Sequence, residues 1–223
     1  MYQRYVLPEQ ATAEREFLPA TAWWKFVPKF NVAPAHYVPA IRLHDERTEG
    51  VMLRWGLIPS WAEDEPRAPP NAYVQSGRLE RSEIYTMPWL DGRRCILPAA
   101  GFYTWQLTRE KYRQPFFVRL IDRPVFGIAA IWDRWVSEGD DVIESCSVIG
   151  VPANELMSKI SHPHRGMPAI LRRKDYQVWL QGSPVEARLA LRPYMPDSMQ
   201  AYPVSPRINS SAVDDAALIR AVF

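Results

Sequence analysis

Proline is the residue that most restricts this chain. Twenty-one prolines are spread over 223 residues, against ten glycines. Each proline removes a backbone donor, breaks a helix interior, and is confined in a sheet to edges, first positions and bulges. A helical bundle is therefore excluded, and short strands joined by loops are favoured. The remaining composition calls for a packed core: 47% of residues are hydrophobic and nine are tryptophan, which is not the profile of a disordered chain.

Runs rich in β-forming residues recur between turn signals. Strands are expected at 37–43, 51–55, 94–97, 101–107, 115–120, 125–132, 142–151 and 201–205. Phe30 to Pro34 reads as a closing loop, and Asp45 to Gly50 as a polar hairpin loop. Helices are expected at 12–18, 82–90, 152–160, 175–180 and 185–191, with a terminal one at 214–222. They are inserted singly rather than in strict alternation with strands. The reading is an α+β fold: one domain over 1–223 with a mostly antiparallel, barrel-like β-sheet core and a few helices.

No apolar run is long enough to span a membrane and no signal-peptide core opens the chain, so a cytoplasmic protein is expected, nucleoid-associated if it holds DNA. Cys95 and Cys146 both lie in apolar runs and read as buried free thiols. No Cys/His cluster has zinc spacing, and neither a metal nor another cofactor is expected. The formal net charge is only +2. Any nucleic-acid binding needs a local basic face.

The most suggestive stretch for function is Leu53-Arg54-Trp55-Gly56-Leu57-Ile58-Pro59-Ser60-Trp61. Glycine and proline bend the backbone between two tryptophans, and an arginine stands beside the first. A cation next to flat aromatic faces suits phosphates and stacked bases. The same tryptophans also read as core anchors, since large aromatics carry much core burial.

Five stretches in order resemble the SRAP family, the SOS-response-associated peptidases or abasic-site-processing proteins. They are Arg4-Tyr5, Phe30-Asn31-Val32-Ala33-Pro34, Arg54 to Trp61, Leu97-Pro98-Ala99-Ala100-Gly101-Phe102-Tyr103-Thr104-Trp105, and Met167-Pro168-Ala169-Ile170-Leu171. The resemblance runs from Met1 to about Asn209. It implies a single α+β domain with a basic groove for single-stranded DNA. It also implies capture of an abasic site by an N-terminal cysteine, whose amine attacks the sugar aldehyde and whose thiol closes a thiazolidine ring. Asparagine, glutamate and histidine assist, and no metal is needed.

Residue by residue, that chemistry carries over unevenly. The cysteine position is Tyr2, a phenol that cannot form a thiazolidine, and a bulky second residue leaves Met1 in place. The glutamate position is Thr104, whose hydroxyl is no carboxylate acid or base at neutral pH. Asn71 keeps the asparagine, but Tyr73 and Gln75 replace a charged pair. His164 keeps the histidine spacing, with Gly166 where arginine belongs, and His162 is a rival two residues earlier. The resemblance places Arg4, Asn31, Pro34, Arg54, Trp55, Trp61, Arg81, His162 and Arg165 at the nucleic acid, with Trp61 as the stacking residue.

Three readings follow. A monomer that binds single-stranded or abasic DNA without the covalent crosslink is placed first. An active abasic-site enzyme is second, with crosslinking, autoproteolysis or Schiff-base lyase chemistry from the Met1 amine. A scaffold with a new partner is third.

Overall fold

The computed structural model describes residues 4–65, 71–161 and 166–222. Its centre is a ring of five strands. Strand β4 (Tyr37–His44) and β5 (Arg47–Trp55) form a hairpin. β4 also pairs with β7 (Arg94–Ala99), β7 with β10 (Phe126–Val136), and β10 with β11 (Val142–Val151), each antiparallel. The ring closes where β11 runs parallel to the end of β5, with Ser145 opposite Arg54 and Cys146 opposite Trp55. Closure leaves no free edge along these strands and gives the barrel that the strand pattern implied. Both cysteines are free thiols at 0% exposure inside this core, and burial pushes both thiols up, so they are packing groups rather than nucleophiles.

Short strands decorate the ring. β2 (Thr21–Ala22) and β6 (Tyr73–Gln75) pair in parallel with β5 and β11. β12 (Met167–Pro168) and β13 (Ile170–Leu171) pair with β11 and β10. A second, wholly antiparallel sheet has the order β14 (Met199–Pro203), β9 (Arg113–Leu120), β8 (Gly101–Leu107), β1 (Tyr5–Leu7) and β3 (Lys29–Val32). One face carries Tyr5 and Phe102 into the main core. The other carries Val6, Tyr103 and Phe117 into a smaller cluster covered by Val204, Ile208 and Leu218.

The helices are short: α1 (Gln10–Phe17), α2 (Glu83–Leu90), α3 (Glu155–Ile160), α4 (Tyr176–Gln181) and α5 (Pro184–Arg188). Ser183 and Glu186 form a capping box on α5, and the Asn154 side chain caps α3. Among the described residues, no helix is long and apolar enough to cross a membrane.

Three local expectations are corrected. The hairpin loop is only Asp45-Glu46, both with positive φ (46° and 62°), so β5 starts at Arg47. Phe30 to Val32 belongs to β3, because Val32 pairs with Tyr5 and the Asp214 carboxylate accepts from the Phe30 and Asn31 amides. The 214–222 segment is not an α-helix. It makes one 3-10 turn, Ala216–Ile219, because Ala221 bridges to Val204 and the Val222 amide donates to Pro203. Tertiary pairing overrides its helical composition.

Glu16 fastens α1 to the barrel. It accepts hydrogen bonds from Arg123, Arg173 and the Tyr176 hydroxyl. Burial raises this carboxyl, but the hydrogen bond from Arg173 and the charge of Arg123 outweigh burial and hold it below its ordinary value. A depressed acid stabilises the fold above its unfolded pKa, and that contribution is lost as pH falls through the folded value. Glu16→Gln should therefore lower unfolding free energy by roughly 1–3 kcal/mol at neutral pH, with the gap to the parent shrinking below about pH 4. Urea titrations at several pH values check this; a gap that does not depend on pH contradicts it.

Candidate nucleic-acid interface

The bent loop after β5 is held from four sides. Gly56 takes φ 125°, a value that favours glycine, and its amide donates to the Cys146 carbonyl. The Leu57 amide donates to the Asn71 carbonyl, and the Asn71 side-chain amide donates back to the Leu57 carbonyl at 3.2 Å. The Ile58 amide donates to Ser145 Oγ (2.8 Å) and the Ser60 amide to Asp133 Oδ2 (2.8 Å). Finally, Trp135 Nε1 donates to the Ala62 carbonyl at 2.7 Å. The result is a fixed loop that leaves the Trp61 side chain out: this residue is 59% exposed. An exposed indole carried on a fixed backbone is a stacking face presented at a set position.

Trp55 plays the opposite part. It is 2% exposed, its Nε1 donates to the Ala72 carbonyl at 2.8 Å, and its ring meets Tyr5 edge-on at 5.4 Å. Its backbone is stapled to the Pro34 turn, since the Ala35 amide donates to the Trp55 carbonyl and the Trp55 amide to the His36 carbonyl. Trp55 is thus a core anchor, the second of the two roles its sequence context offered. Asn31 also serves the packing of the fold. It is buried, its amide donates to the Ser210 and Val213 carbonyls, and its oxygen accepts from Arg4 Nη1 at 3.0 Å. Pro34 is half-buried and shapes the turn.

The arginines differ. Arg4 is half-buried against Asn31, and burial lowers its guanidinium from the ordinary value. Arg54 is buried, with Nη2 3.5 Å from Glu65 and Nη1 without a hydrogen-bond partner among the described residues. Arg81 is exposed. His36 lies near Arg4 and Lys29. Burial, then those two cations, hold its imidazole below the ordinary value, so it is neutral at pH 7.

Thr104 is 3% exposed in β8, opposite Phe116. Strand alternation puts it on the Phe102 face, toward the junction of the two sheets. That junction, lined by Arg4, Tyr5, Trp55, Phe102, Ile128, Val148 and Pro168, leaves only about 10 Å³, close to one water. The Tyr5 hydroxyl is buried without a hydrogen-bond partner among the described residues. Asn71, in the left-handed region with φ 54°, lines a larger cavity of about 240 Å³ with Tyr73, Gln75, Arg78, Ser82 and Tyr85. Among the described residues, no carboxylate lines either space. Tyr2, His162, His164 and Arg165 lie outside the described residues. The described part of the chain thus brings Arg4 and Trp55 together at the sheet junction, while Asn71 lines the separate, larger cavity and Trp61 lies at the far end of the loop after β5. Asp133 escaped sequence reading because it is far in sequence from the Ser60 amide it holds, and Arg78 and Ser82 because they stand outside the recognised motifs.

Residues 1–211 match the family described as SOS response associated peptidase (SRAP), and the chain belongs to that family. It is similar to the abasic site processing protein YoaM of Bacillus subtilis (strain 168), at 32% identity over 88% of this chain and 86% of the relative. It is 29% identical to the mouse abasic site processing protein HMCES over 84% of this chain, which spans 63% of that protein. A crystal structure of a protein from Bacteroides thetaiotaomicron superposes with a TM-score of 0.76 at 25% identity, covering 85% of this chain and 82% of that one. A second, from Bordetella bronchiseptica, has a TM-score of 0.78 at 22% identity, covering 91% and 99%.

Asp133 is the clamp of the Trp61 loop, since it also accepts from Arg93 and the Arg134 amide. Asp133→Ala should cost about 1–3 kcal/mol in urea unfolding, because it removes a buried acceptor shared by the Ser60 and Arg134 amides and one of the two carboxylates that hold Arg93. Asp133→Asn, which keeps an acceptor for the Ser60 amide, should cost less. Equal costs for the two changes would contradict the clamp.

Proposed function

We propose that this chain binds single-stranded DNA at damage sites through the Trp61 face, and that it forms no stable thiazolidine with an abasic sugar. The observation that carries the reading is the exposed Trp61 on a loop whose backbone is held at Ser60 and Ala62, together with a sheet junction that has no carboxylate among its described lining residues. A base stacks on the indole, while Arg4 and Arg81 neutralise phosphates. Family membership and the names of the relatives support DNA in the damage response as the partner.

The chemistry fails at ring closure. An amine attacking the open-chain aldehyde expels water and leaves an imine, which hydrolyses unless a second nucleophile adds to its carbon. In the family that nucleophile is the thiol at the second position, here Tyr2. Thr104 at the glutamate position supplies no carboxylate to move the protons. Binding and crosslinking are thereby separated.

Two measurements test this. Affinity for a short single strand should fall as salt rises, because phosphate neutralisation releases counterions, and Trp61→Ala should weaken it by roughly 1–3 kcal/mol. Absence of binding at low salt, or indifference to Trp61→Ala, overturns the binding claim. Intact mass after incubation with abasic single-stranded DNA should show no heat-stable adduct. Tyr2→Cys with Gln3→Gly should restore Met removal and the thiol, with little gain until Thr104→Glu is added, since members of one catalytic unit are not additive. A heat-stable adduct formed by the unaltered protein without borohydride returns the enzyme reading to first place.

A further inference from the structure

The 240 Å³ cavity beside Asn71 brings in Arg78, Ser82 and Tyr85, which lie outside the stretches that carry the family resemblance. Its walls come from three consecutive pieces of chain: β6 with Asn71, the 3-10 turn Ser76–Arg78, and the start of α2. Arg78 stands at its edge and forms no ion pair with any described residue, whereas nearby Glu80 is taken by Arg188 at 2.6 Å. Ser82 precedes α2 without using its hydroxyl as a cap. Two tyrosines flank these groups. Tyr85 is buried, accepting from Ser147 Oγ at 3.4 Å, and Tyr73 lies flat on β11, so close that a Cβ at Gly150 would fall 1.7 Å from its hydroxyl oxygen. The remaining polar wall is the amide of Gln75, held beside Gly166, where φ is +64° and a Cβ would meet the Val151 carbonyl at 2.2 Å.

A cation without a carboxylate, a hydroxyl, neutral amides and aromatic walls form a pocket for a phosphate attached to an uncharged ring. The geometry points to a nucleotide subsite here, in which Arg78 and Ser82 hold a phosphate and the Tyr73–Tyr85 wall takes the sugar or base. Arginine suits that role because its planar fork presents paired donors to phosphate oxygens. The subsite lies next to Asn71, whose side chain is tied to the Trp61 loop through Leu57, so a strand lying along the loop can deliver its neighbouring nucleotide to it. The inference rests on the single-strand reading only for the polymer that delivers the nucleotide. The pocket itself is tested without it.

The test has two arms. In the first, backbone amide resonances are followed by NMR while the protein is titrated with a deoxynucleoside 5′-monophosphate, the matching deoxynucleoside, or inorganic phosphate. The monophosphate should shift Val74, Gln75, Arg78 and Ser82, the nucleoside should not, and inorganic phosphate should shift Arg78 and Ser82 alone. Arg78→Gln should abolish these shifts and Arg78→Lys should retain part of them. In the second arm, binding of a short single strand is measured against salt. Arg78→Gln should weaken it roughly tenfold and flatten the salt slope by about 0.7, while Arg119→Gln, on the second sheet, should leave both unchanged. Absence of shifts at these amides with the monophosphate overturns the subsite. So does a wild-type strand affinity and slope retained by Arg78→Gln. Shifts with the mononucleotide but no strand binding would uphold the subsite and overturn the single-strand reading instead.

Discussion

The parallel contact between β5 and β11 is the constraint on which the rest of the molecule depends. Cys146 opposite Trp55 closes the five-stranded ring, and the next residue, Gly56, turns the chain out of it. Because Trp55 is fixed there, its indole N–H holds the Ala72 carbonyl and its edge receives Tyr5. One side chain thus sets the distance between the barrel, the N-terminal strand and the Asn71 segment. Opening the closure would release all three at once, along with the burial of one of the largest side chains in the core.

The same closure separates two tryptophans that look alike in sequence. Trp55 ends a strand inside the ring, and Trp61 lies beyond the glycine and proline, where Asp133 and Trp135 pin the loop from β10. The barrel therefore both hides one indole and presents the other.

The strand periods carried most of the fold, and β8 and β11 have the ends that alternation implied. What stayed illegible was long-range. Nothing local in Asn31 says that its amide serves carbonyls near residue 210, and nothing in Asp133 says that it holds Ser60. The tail from Asp214 to Val222 has helical composition, yet its carboxylates and amides are claimed by β3 and by Pro203. Motif position singled out Asn71 and Thr104, but not the arginine at 78, which only the folded chain sets at the edge of the Asn71 cavity. Short-range propensity and long-range satisfaction of polar groups are different problems, and sequence pattern addresses mainly the first.

Hydrogen–deuterium exchange with and without abasic single-stranded DNA, followed by denaturing mass analysis of the same samples, tests the central claim most directly. The account predicts slower exchange at 56–62 and 72–85, no change on the outer strands of the second sheet, and a protein mass unaltered once the DNA is stripped. Protection confined to other surfaces, or a protein mass that retains the DNA after denaturation, would contradict it.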